Sequence, residues 1–413
     1  MGKGRDKLNI ALFTDTYYPE INGVANSVYI LKNELEQIGH TVYVFTTTTP
    51  GSPEYEHNVF RVPSMPFALI TERRVGIFYQ PRLASIIKKL DLDLIHTHTE
   101  FSLGIFGRIM AKELKLPMVH TYHTIYEDYT HYLTNFKTLD KRAKAFARVF
   151  TKVCCNTVEQ VIVPTQKVKD LLLTYSVHKE ISIVPTGVNL KKFNPALYSQ
   201  EDVMELKKQY NIQEQDKIML YLGRVSKEKN IGEIIESMPQ YMRERENVKF
   251  VIVGSGPEME NLKQMVTERN LDGRILFTGA QPWDNIGLFY RMGDVFVSGS
   301  TSETQGLTYI EAMAAGLPIV ARRDRCLDDI LVPGWNGYDF TDRKGLLEGL
   351  DAVLFSSSGI AYGENARKNV QKLSTEAFAR NVEKVYEEVM KRDAISKKRE
   401  EYESRKIRRL FRR

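Results

Sequence analysis

The sequence contains one segment in which two carboxylates, a glycine and the beginning of a helix follow one another closely. The segment Ser302–Pro318 reads SETQGLTYIEAMAAGLP, with seven residues between Glu303 and Glu311. Gly306 has no Cβ and lets backbone approach a ligand, and the helix that begins after it, at Leu307, has N-terminal amides that suit a phosphate. A carboxylate in that helix can bond two ribose hydroxyls, and the earlier one can bond sugar hydroxyls. Each glutamate alone is more simply a surface charge, but the whole segment favours a nucleotide-sugar site.

Two cations lie in a loop between a predicted strand and a predicted helix. Arg224 and Lys229 belong to the segment 222–230, LGRVSKEKN. Cations in this position suit a diphosphate, although such a loop alone could be a solvated turn. Near the N-terminus, Gly23 begins a predicted helix whose positive end could face the same diphosphate, whereas a lone glycine there could also form an ordinary turn.

Histidines cluster near two predicted strands of the first half. His123 is expected just past the strand 117–121, a position where a lone histidine is usually structural. His120 is expected inside that strand and His131 in a lobe for a second substrate. His96 and His98 are interpreted as loop histidines rather than a metal pair, because no third ligand follows at helical spacing.

Short apolar runs alternate with helical patterns along the chain. The strands and helices that they predict must position the candidate site residues. In the first half, strands are predicted at 8–13, 41–45, 93–96, 117–121, 161–164 and 181–184, with helices at 24–38 and 103–114. After a polar segment at 189–210, strands are predicted at 218–222, 249–253, 276–278, 295–298 and 318–321, with a helix at 231–238. Such alternation predicts parallel sheets covered on both faces. The fold class is therefore α/β, with two doubly wound, Rossmann-like domains facing a central cleft.

The totals fit two folded domains in a reducing compartment. The 413 residues exceed what one core usually fills, and 42% apolar with 27% charged residues is typical of a folded protein. No run approaches the ~20 apolar residues of a spanning helix, and the N-terminus shows no apolar signal core. The three cysteines have neither disulfide nor metal spacing. A cytoplasmic protein is expected.

Basic residues are concentrated at the C-terminus. Residues 391–413 hold eleven Lys and Arg against four Asp and Glu, whereas the whole chain carries +6, so the remainder is close to neutral. This tail is either a solvated helix end or a surface for anionic phosphates. The segments 64–79 and 141–152 also mix cations with apolar residues. Each of the three is most simply a surface helix, but together they are compatible with reversible binding to anionic lipid at ~1 kcal/mol per cation.

Taken together, these segments resemble the retaining glycosyltransferases of family four, which have the GT-B fold. The spacing of Glu303 and Glu311 is that family's E-x7-E signature, in which the second glutamate binds the nucleotide ribose and the first contacts the transferred sugar. The loop at 222–230 is similar to the family's phosphate-binding segment. The resemblance implies the donor-binding residues Gly23, Arg224, Lys229, Gly306, Leu307 and Glu311 and the catalytic residues His123 and Glu303.

The resemblance extends from Ile10 to about Val389 and implies a domain organisation. Residues 1–195 would form an N-terminal acceptor-binding Rossmann-like domain, and residues 196–375 a C-terminal nucleotide-sugar-binding one. Residues 376–413 would form a C-terminal helix, returning to the N-terminal domain, and the basic tail.

The segments 13–19, FTDTYYP, and 122–132, YHTIYEDYTHY, are more narrowly similar to bacterial diacylglycerol glucosyltransferases. That resemblance implies transfer of glucose from UDP-glucose to the 3-hydroxyl of 1,2-diacylglycerol, giving a membrane glycolipid. The enzyme would lie peripherally on the inner face of the cell membrane and contact anionic lipid. Gln305, near the sugar pocket, departs from the Phe that many relatives carry before the glycine.

The reaction implied is front-face displacement, since no carboxylate nucleophile is apparent. The leaving diphosphate would accept the acceptor's proton, while Arg224, Lys229 and a helix N-terminus stabilise its growing charge. No metal or other cofactor is expected, because the Asp-x-Asp at 91–93 opens a strand away from the phosphate segments.

The same residues are also compatible with other functions. A glycosyltransferase of the same family could use another lipid or a soluble acceptor, although the basic tail is then harder to explain. A nucleotide-sugar epimerase would share the fold and the donor contacts. A nucleic-acid-binding protein is suggested by the tail alone, which lacks interleaved aromatics and any recognised module, so no nucleic-acid partner is expected.

Overall fold

The computed structural model describes residues 7–20, 22–67, 70–76, 78–127, 137–356 and 359–410, so His131 and the end of the basic tail lie outside the described residues. The chain forms two compact units, the first comprising Met1–Gly187 with Thr375–Arg413 and the second Val188–Ser374. The boundary predicted after residue 195 falls a few residues later than this division. The reason is that Val188 and Phe193 are buried in the core of the second unit.

The first unit is built on a parallel sheet with the strand order β3-β2-β1-β6-β7-β8-β9. Its strands, including a separate antiparallel hairpin β4–β5, are β1 Asn9–Phe13, β2 Thr41–Thr47, β3 Val59–Val62, β4 Ser64–Phe67, β5 Ile70–Gly76, β6 Leu94–Thr97, β7 Met118–Thr121, β8 Gln160–Val163 and β9 Glu180–Ile183. Every residue of β6, β7 and β8 is buried, as expected for strands with both faces covered. The helices are α1 Gly23–Gln37, α2 Pro81–Ile87, α3 Ser102–Leu114, α4 Lys137–Asn156 and α5 Gln166–Thr174.

The second unit repeats this plan with the strand order β12-β11-β10-β13-β14-β15. Its strands are β10 Lys217–Leu222, β11 Val248–Val253, β12 Ile275–Gly279, β13 Val295–Ser298, β14 Ile319–Arg322 and β15 Gly337–Phe340. Its helices are α6 Gln200–Gln209, α7 Ile231–Glu244, α8 Met259–Glu268, α9 Ile286–Met292, α10 Leu307–Ala314, α11 Arg343–Leu354 and α12 Gly359–Asn369. Two apolar layers, one on each face of the sheet, form its core.

The last helix, α13 Thr375–Leu410, belongs to the first unit. Its apolar residues Val382, Tyr386 and Val389 are buried with Leu12 of β1 and Val28 of α1. One face of the first sheet is therefore covered by α1 and α13.

Two elements differ from the sequence-based expectations. The interpretation of 64–79 as a surface helix is wrong, because β4 and β5 pair antiparallel there, with Met65 opposite Val75. Pro66 would interrupt a helix at this point. Helix α7 extends past the predicted end at 238 and contains Pro239. Within the described residues, the helices include none whose length and hydropathy would let it span a bilayer.

Candidate active site

In the second unit, two loops flank the point at which the order of the strands reverses. Strand β10 has β11 on one side and β13 on the other. Ligands of open parallel sheets bind at such a switch point, beyond the carboxyl ends of the strands. The loop after β10 carries Arg224 and Lys229, and the loop after β13 carries Glu303 and Gly306. These four predicted residues lie where this sheet is expected to bind its ligand.

An ion pair joins the two loops. The Nζ atom of Lys229 lies 2.5 Å from Oε1 of Glu303, and both side chains are less than one-fifth exposed. The next residue, Asn230, donates from its side-chain amide to the carbonyl of Gly299 at 3.2 Å. The cation predicted to bind the diphosphate and the carboxylate predicted to bind the sugar are thus adjacent, as a single sugar phosphate would require.

Gly306 precedes α10 in a conformation that few other residues adopt. Its φ is +75°, and a Cβ there would lie 2.3 Å from Cδ2 of Tyr309. The ring of Tyr309 is fixed in turn, because its hydroxyl donates to Ser298 at 2.9 Å. Within the part of the chain that the structure describes, no side chain caps the N-terminus of α10, so its first amides, beginning at Leu307, are suited to an anion.

Glu311 is buried in α10 and has one hydroxyl partner. The hydroxyl of Tyr290 donates to Oε2 of Glu311 at 2.8 Å. Burial raises the pKa of Glu311 from its usual 4.5 to about 7, although the Tyr290 hydrogen bond and the charge of Lys192 both oppose the shift. Tyr290 is the one hydrogen-bond donor to Glu311 among the described residues, so the carboxylate retains acceptor capacity for further hydroxyls, which fits the predicted bond to a ribose.

Lys192, which lies in the polar segment at 189–210, was not predicted as a site residue. Its Nζ lies 4.3 Å from the ring centroid of Trp283 and 3.5 Å from Oδ1 of Asp284. Burial lowers the pKa of Lys192, whereas the charges of Asp284 and Glu311 raise it. Lys192 therefore contributes positive charge near Glu311, and no spacing in the sequence indicates this.

The backbone before Arg224 is approached closely by a second loop. A Cβ at Gly254, which follows β11, would lie 1.8 Å from the carbonyl oxygen of Gly223. The carbonyl of Arg224 accepts a hydrogen bond from the hydroxyl of Tyr221 at 2.8 Å. Because Gly254 has no Cβ, the two loops can approach this closely. Gly254 was not predicted, although a Gly-x-Gly after a strand is a recognisable signal for close backbone approach.

In the first unit, Gly23 is the first residue of α1 and Asn22 is its cap. The Oδ1 atom of Asn22 accepts from the amides of Val24 and Ala25 at 3.1 and 2.9 Å. Its Nδ2 donates to Thr16 at 2.7 Å, which fixes the cap. The amides of Val24 and Ala25 are therefore already hydrogen-bonded to Asn22. Of these first three amides of α1, the predicted diphosphate contact is left with that of Gly23.

His123 lies just beyond β7, as predicted, and is hydrogen-bonded to a second histidine. Its Nε2 lies 3.1 Å from Nδ1 of His98, and the two rings stack with centroids 5.4 Å apart. Burial lowers the pKa of His123 to about 4 and that of His98 well below its usual value. Both imidazoles are therefore neutral near pH 7, so one of them donates its proton to the other.

The interpretation of His96 and His98 as loop histidines is wrong for His96. Strand β6 continues to Thr97, and the buried ring of His96 lies between the hydroxyls of Tyr386 and Thr121, with both distances 2.7 Å. His98 directly follows the strand and is also buried. Both residues belong to the packed interior of the first unit.

His120 lies inside β7 as predicted and connects to a buried acid. Its Nδ1 lies 2.8 Å from the hydroxyl of Thr97, and its Nε2 lies 3.1 Å from Oε1 of Glu100. The hydroxyl of Tyr126 donates to the other oxygen of Glu100. Glu100 was not predicted, and it adds a carboxylate to the carboxyl edge of the first sheet.

The acidic pair at 91–93 lies at the opposite edge of that sheet. Oδ2 of Asp93 accepts from the amide of Asn9 at 2.9 Å, at the amino ends of β6 and β1. Among the described residues, no three His, Cys, Asp or Glu side chains are grouped to hold a metal ion.

The predicted residues thus fall into two groups, one in each unit. The first unit holds Gly23 and His123 at the carboxyl ends of its strands; the second holds Arg224, Lys229, Glu303, Gly306, Leu307 and Glu311.

Comparisons with known proteins fit both units. Residues 21–192 match Glycosyltransferase Family 4, and residues 202–372 match Glycosyl transferases group 1. The alpha-monoglucosyldiacylglycerol synthase of Streptococcus pneumoniae is 36% identical over 92% of this chain and 85% of its own length. The synthase of the same name from Acholeplasma laidlawii is 34% identical over 92% of this chain and 96% of its own length. The chain belongs to glycosyltransferase family 4. It is an enzyme that transfers a glycosyl group.

Solved structures of other proteins share the fold. Sucrose-phosphate synthase from Thermosynechococcus elongatus covers 92% of this chain and 99% of its own, with 24% identity and a TM-score of 0.72. HepE from Anabaena, in complex with UDP-glucose, covers 92% of this chain and 100% of its own, with 17% identity and a TM-score of 0.72. The two parallel sheets are those of a GT-B glycosyltransferase.

Proposed function

We propose that this family 4 glycosyltransferase transfers glucose from UDP-glucose to the 3-hydroxyl of 1,2-diacylglycerol with retention of configuration. The observation that carries the proposal is the identity of 36% and 34%, over 92% of the chain, with two synthases named for monoglucosyldiacylglycerol. In its broader form, the proposal is that the enzyme transfers a sugar from a nucleotide-sugar donor to a lipid acceptor.

The second unit supplies the donor contacts in this proposal. Glu311 accepts hydrogen bonds from the ribose, and Glu303 accepts them from the glucose. Arg224, Lys229 and the amides at the start of α10 bind the diphosphate. The ion pair between Lys229 and Glu303 supports this assignment, because it fixes a phosphate-binding group beside a sugar-binding one before the donor arrives.

The proposed chemistry uses the diphosphate as the base. The bond between C1 of glucose and the β-phosphate oxygen breaks, and the acceptor oxygen bonds C1 on the same face. The acceptor's proton moves to the departing diphosphate oxygen, whose charge Arg224, Lys229 and the helix amides stabilise. His123 holds the sugar or the acceptor. Because these cations and amides can stabilise the leaving group, we propose that the reaction requires no metal ion.

Helix α4 supports the proposed lipid acceptor. Lys141, Lys144, Arg148 and Lys152 recur at helical spacing, and Phe146 is 71% exposed, Val149 60% and Val153 55%. Exposed apolar side chains beside cations are typical of a helix that lies in a bilayer interface. One cation is partly neutralised, since Arg148 bonds both oxygens of Glu127. The proposed place of action is the cytoplasmic face of the cell membrane.

The deciding experiment offers radiolabelled UDP-glucose or UDP-galactose with diacylglycerol or monoglucosyl-diacylglycerol, followed by lipid chromatography. We expect label from UDP-glucose in a monoglycosylated lipid, with an α linkage by NMR. Label only in a water-soluble product would reject the lipid acceptor. Conversion of UDP-N-acetylglucosamine without an acceptor would indicate an epimerase.

The metal proposal is tested in the same assay. Full turnover in EDTA is expected, and activity that EDTA abolishes and magnesium restores would overturn the proposal of a metal-independent reaction.

The role of His123 is tested by His123→Ala, for which we expect a large loss of turnover. Wild-type turnover would remove His123 from the site.

Membrane binding is tested by co-sedimentation with phosphatidylglycerol vesicles. Binding is expected to weaken as salt rises, and Phe146→Ser with Val149→Ser is expected to weaken it further. Leu197→Ser is the control, because Leu197 is a similarly exposed apolar residue outside α4. Equal binding of the control and the α4 variant would reject α4 as the contact.

A further inference from the structure

His98 uses only one of its two ring nitrogens within the described structure. Its Nδ1 lies 3.1 Å from Nε2 of His123, whereas its Nε2 is buried without a hydrogen-bond partner among the described residues. His96, whose ring centroid lies 4.0 Å from that of His98, already has partners at both nitrogens and cannot supply the missing contact. The proton of His98 must therefore lie either in the bond to His123 or on an isolated nitrogen.

The two positions differ in free energy. A proton on Nε2 of His98 would leave a buried N–H donor with no acceptor, which is rare and costly in folded proteins. A proton on Nδ1 places the N–H in the bond to His123 and leaves only a lone pair without a partner. The second arrangement is favoured, and it makes Nε2 of His123 the acceptor.

We propose that His98 is a positioning residue for glycosyl transfer, whose Nδ1–H donates to Nε2 of His123 and so holds the proton of His123 on Nδ1. This inference rests on the proposed function, in which His123 contacts the sugar or the acceptor. His123 then offers the substrate an N–H donor, which can bond a hydroxyl oxygen, and no lone pair for removing a proton. The tautomer suits a reaction in which the diphosphate takes the acceptor's proton.

Two substitutions separate the nitrogens of His98. Asparagine places its amide near the position of Nδ1, and glutamine places its amide near that of Nε2, so His98→Asn can keep the contact with His123 and His98→Gln cannot. Melting temperatures are measured first, and a value near that of the wild type establishes that a variant is folded. We expect kcat to fall about tenfold in His98→Gln and to stay within about threefold of wild type in His98→Asn, with the KM for donor less affected than kcat. Equal kcat in the two variants would overturn the proposal.

The tautomers can be read directly in the wild-type protein. Long-range proton–nitrogen spectra of protein labelled with 15N-histidine distinguish Nδ1–H from Nε2–H, and His98→Gln and His123→Ala assign the signals. We expect Nδ1–H for both residues. Nε2–H on His123 would reject this inference while leaving the proposed function intact, whereas wild-type turnover of His123→Ala would reject the proposed role of His123 and this inference with it.

Discussion

Replacing Glu311 by glutamine tests the proposed ribose contact through its dependence on pH. Glu311 has a pKa of about 7, because burial disfavours its charge. Ribose hydroxyls donate to the ionised carboxylate, so donor binding should lower this pKa and release a proton. Glutamine keeps an oxygen for the Tyr290 hydroxyl but does not titrate.

The size of the effect follows from the pKa. With a pKa of about 7, about half of the molecules carry a protonated Glu311 at pH 7, and binding releases about half a proton there. If the pKa falls well below 6 in the complex, wild-type affinity at pH 6 is about tenfold weaker than at pH 8. Glu311→Gln should show neither effect and should bind about tenfold more weakly than wild type at pH 8, where the charged hydrogen bonds are complete.

Calorimetry measures both quantities. UDP-glucose is titrated at pH 6, 7 and 8 in pairs of buffers with different protonation enthalpies, which give the protons released. UDP-glucose is preferred to UDP because its diphosphate does not titrate in this range. Equal proton release by the wild type and Glu311→Gln would refute the reasoning, as would equal pH dependence of their affinities.

The same pKa predicts that the ionised form of Glu311, which favours donor binding, lowers the stability of the protein without donor. A carboxyl whose pKa is raised in the folded state lowers the stability of that state as the pH rises from the unfolded pKa to the folded one, so the cost is absent below pH 4.5 and complete above about pH 7. The difference between 4.5 and about 7 corresponds to about 3 kcal/mol. Without donor, Glu311→Gln should therefore melt several degrees above wild type at pH 8 and show little gain at pH 4.5, by calorimetric scans.

Two further substitutions have matched controls. Gly306→Ala should lower the melting temperature more than Gly273→Ala. Both glycines have a positive φ, so an alanine at either position costs about 1–2 kcal/mol of backbone strain, but only at Gly306 does the new Cβ also collide with Tyr309. Equal melting temperatures would contradict this account. Lys229→Ala should lower kcat/KM about a hundredfold through lost stabilisation of the diphosphate, whereas Lys227→Ala, an exposed cation on the same turn, should leave it near wild type. Similar losses in the two lysine variants, measured by initial rates, would remove Lys229 from the site.

The arrangement of the proposed donor site could be predicted because its signals are local. A glycine, a helix start and two carboxylates at fixed spacing follow one strand, and the structure places Gly306 and Glu311 as this pattern requires. The contact between Lys229 and Glu303 joins residues far apart in sequence, yet both follow strands that meet at the switch point. The order of the strands therefore explains the contact between Lys229 and Glu303, which the spacing of residues in the sequence alone does not predict.

The histidine cluster could not be read in the same way. Strand geometry places His96 and His98 on one face, but their partners come from α13 and from the loop after β7, which the sequence does not align with them. Lys192 is a similar case, since its packing against Trp283 arises from tertiary structure. Residues whose role depends on a distant partner lack a periodic signal.

The two ends of the second unit lie side by side. The amide of Val188 donates to the carbonyl of Leu373 at 2.9 Å, and Val188 pairs with Ser374 as an isolated parallel bridge. A segment with adjacent termini and its own core can be excised from its host chain without breaking an internal connection. Residues 188–374 should therefore be obtainable as an autonomous fragment in which nucleotide recognition is studied separately from the lipid.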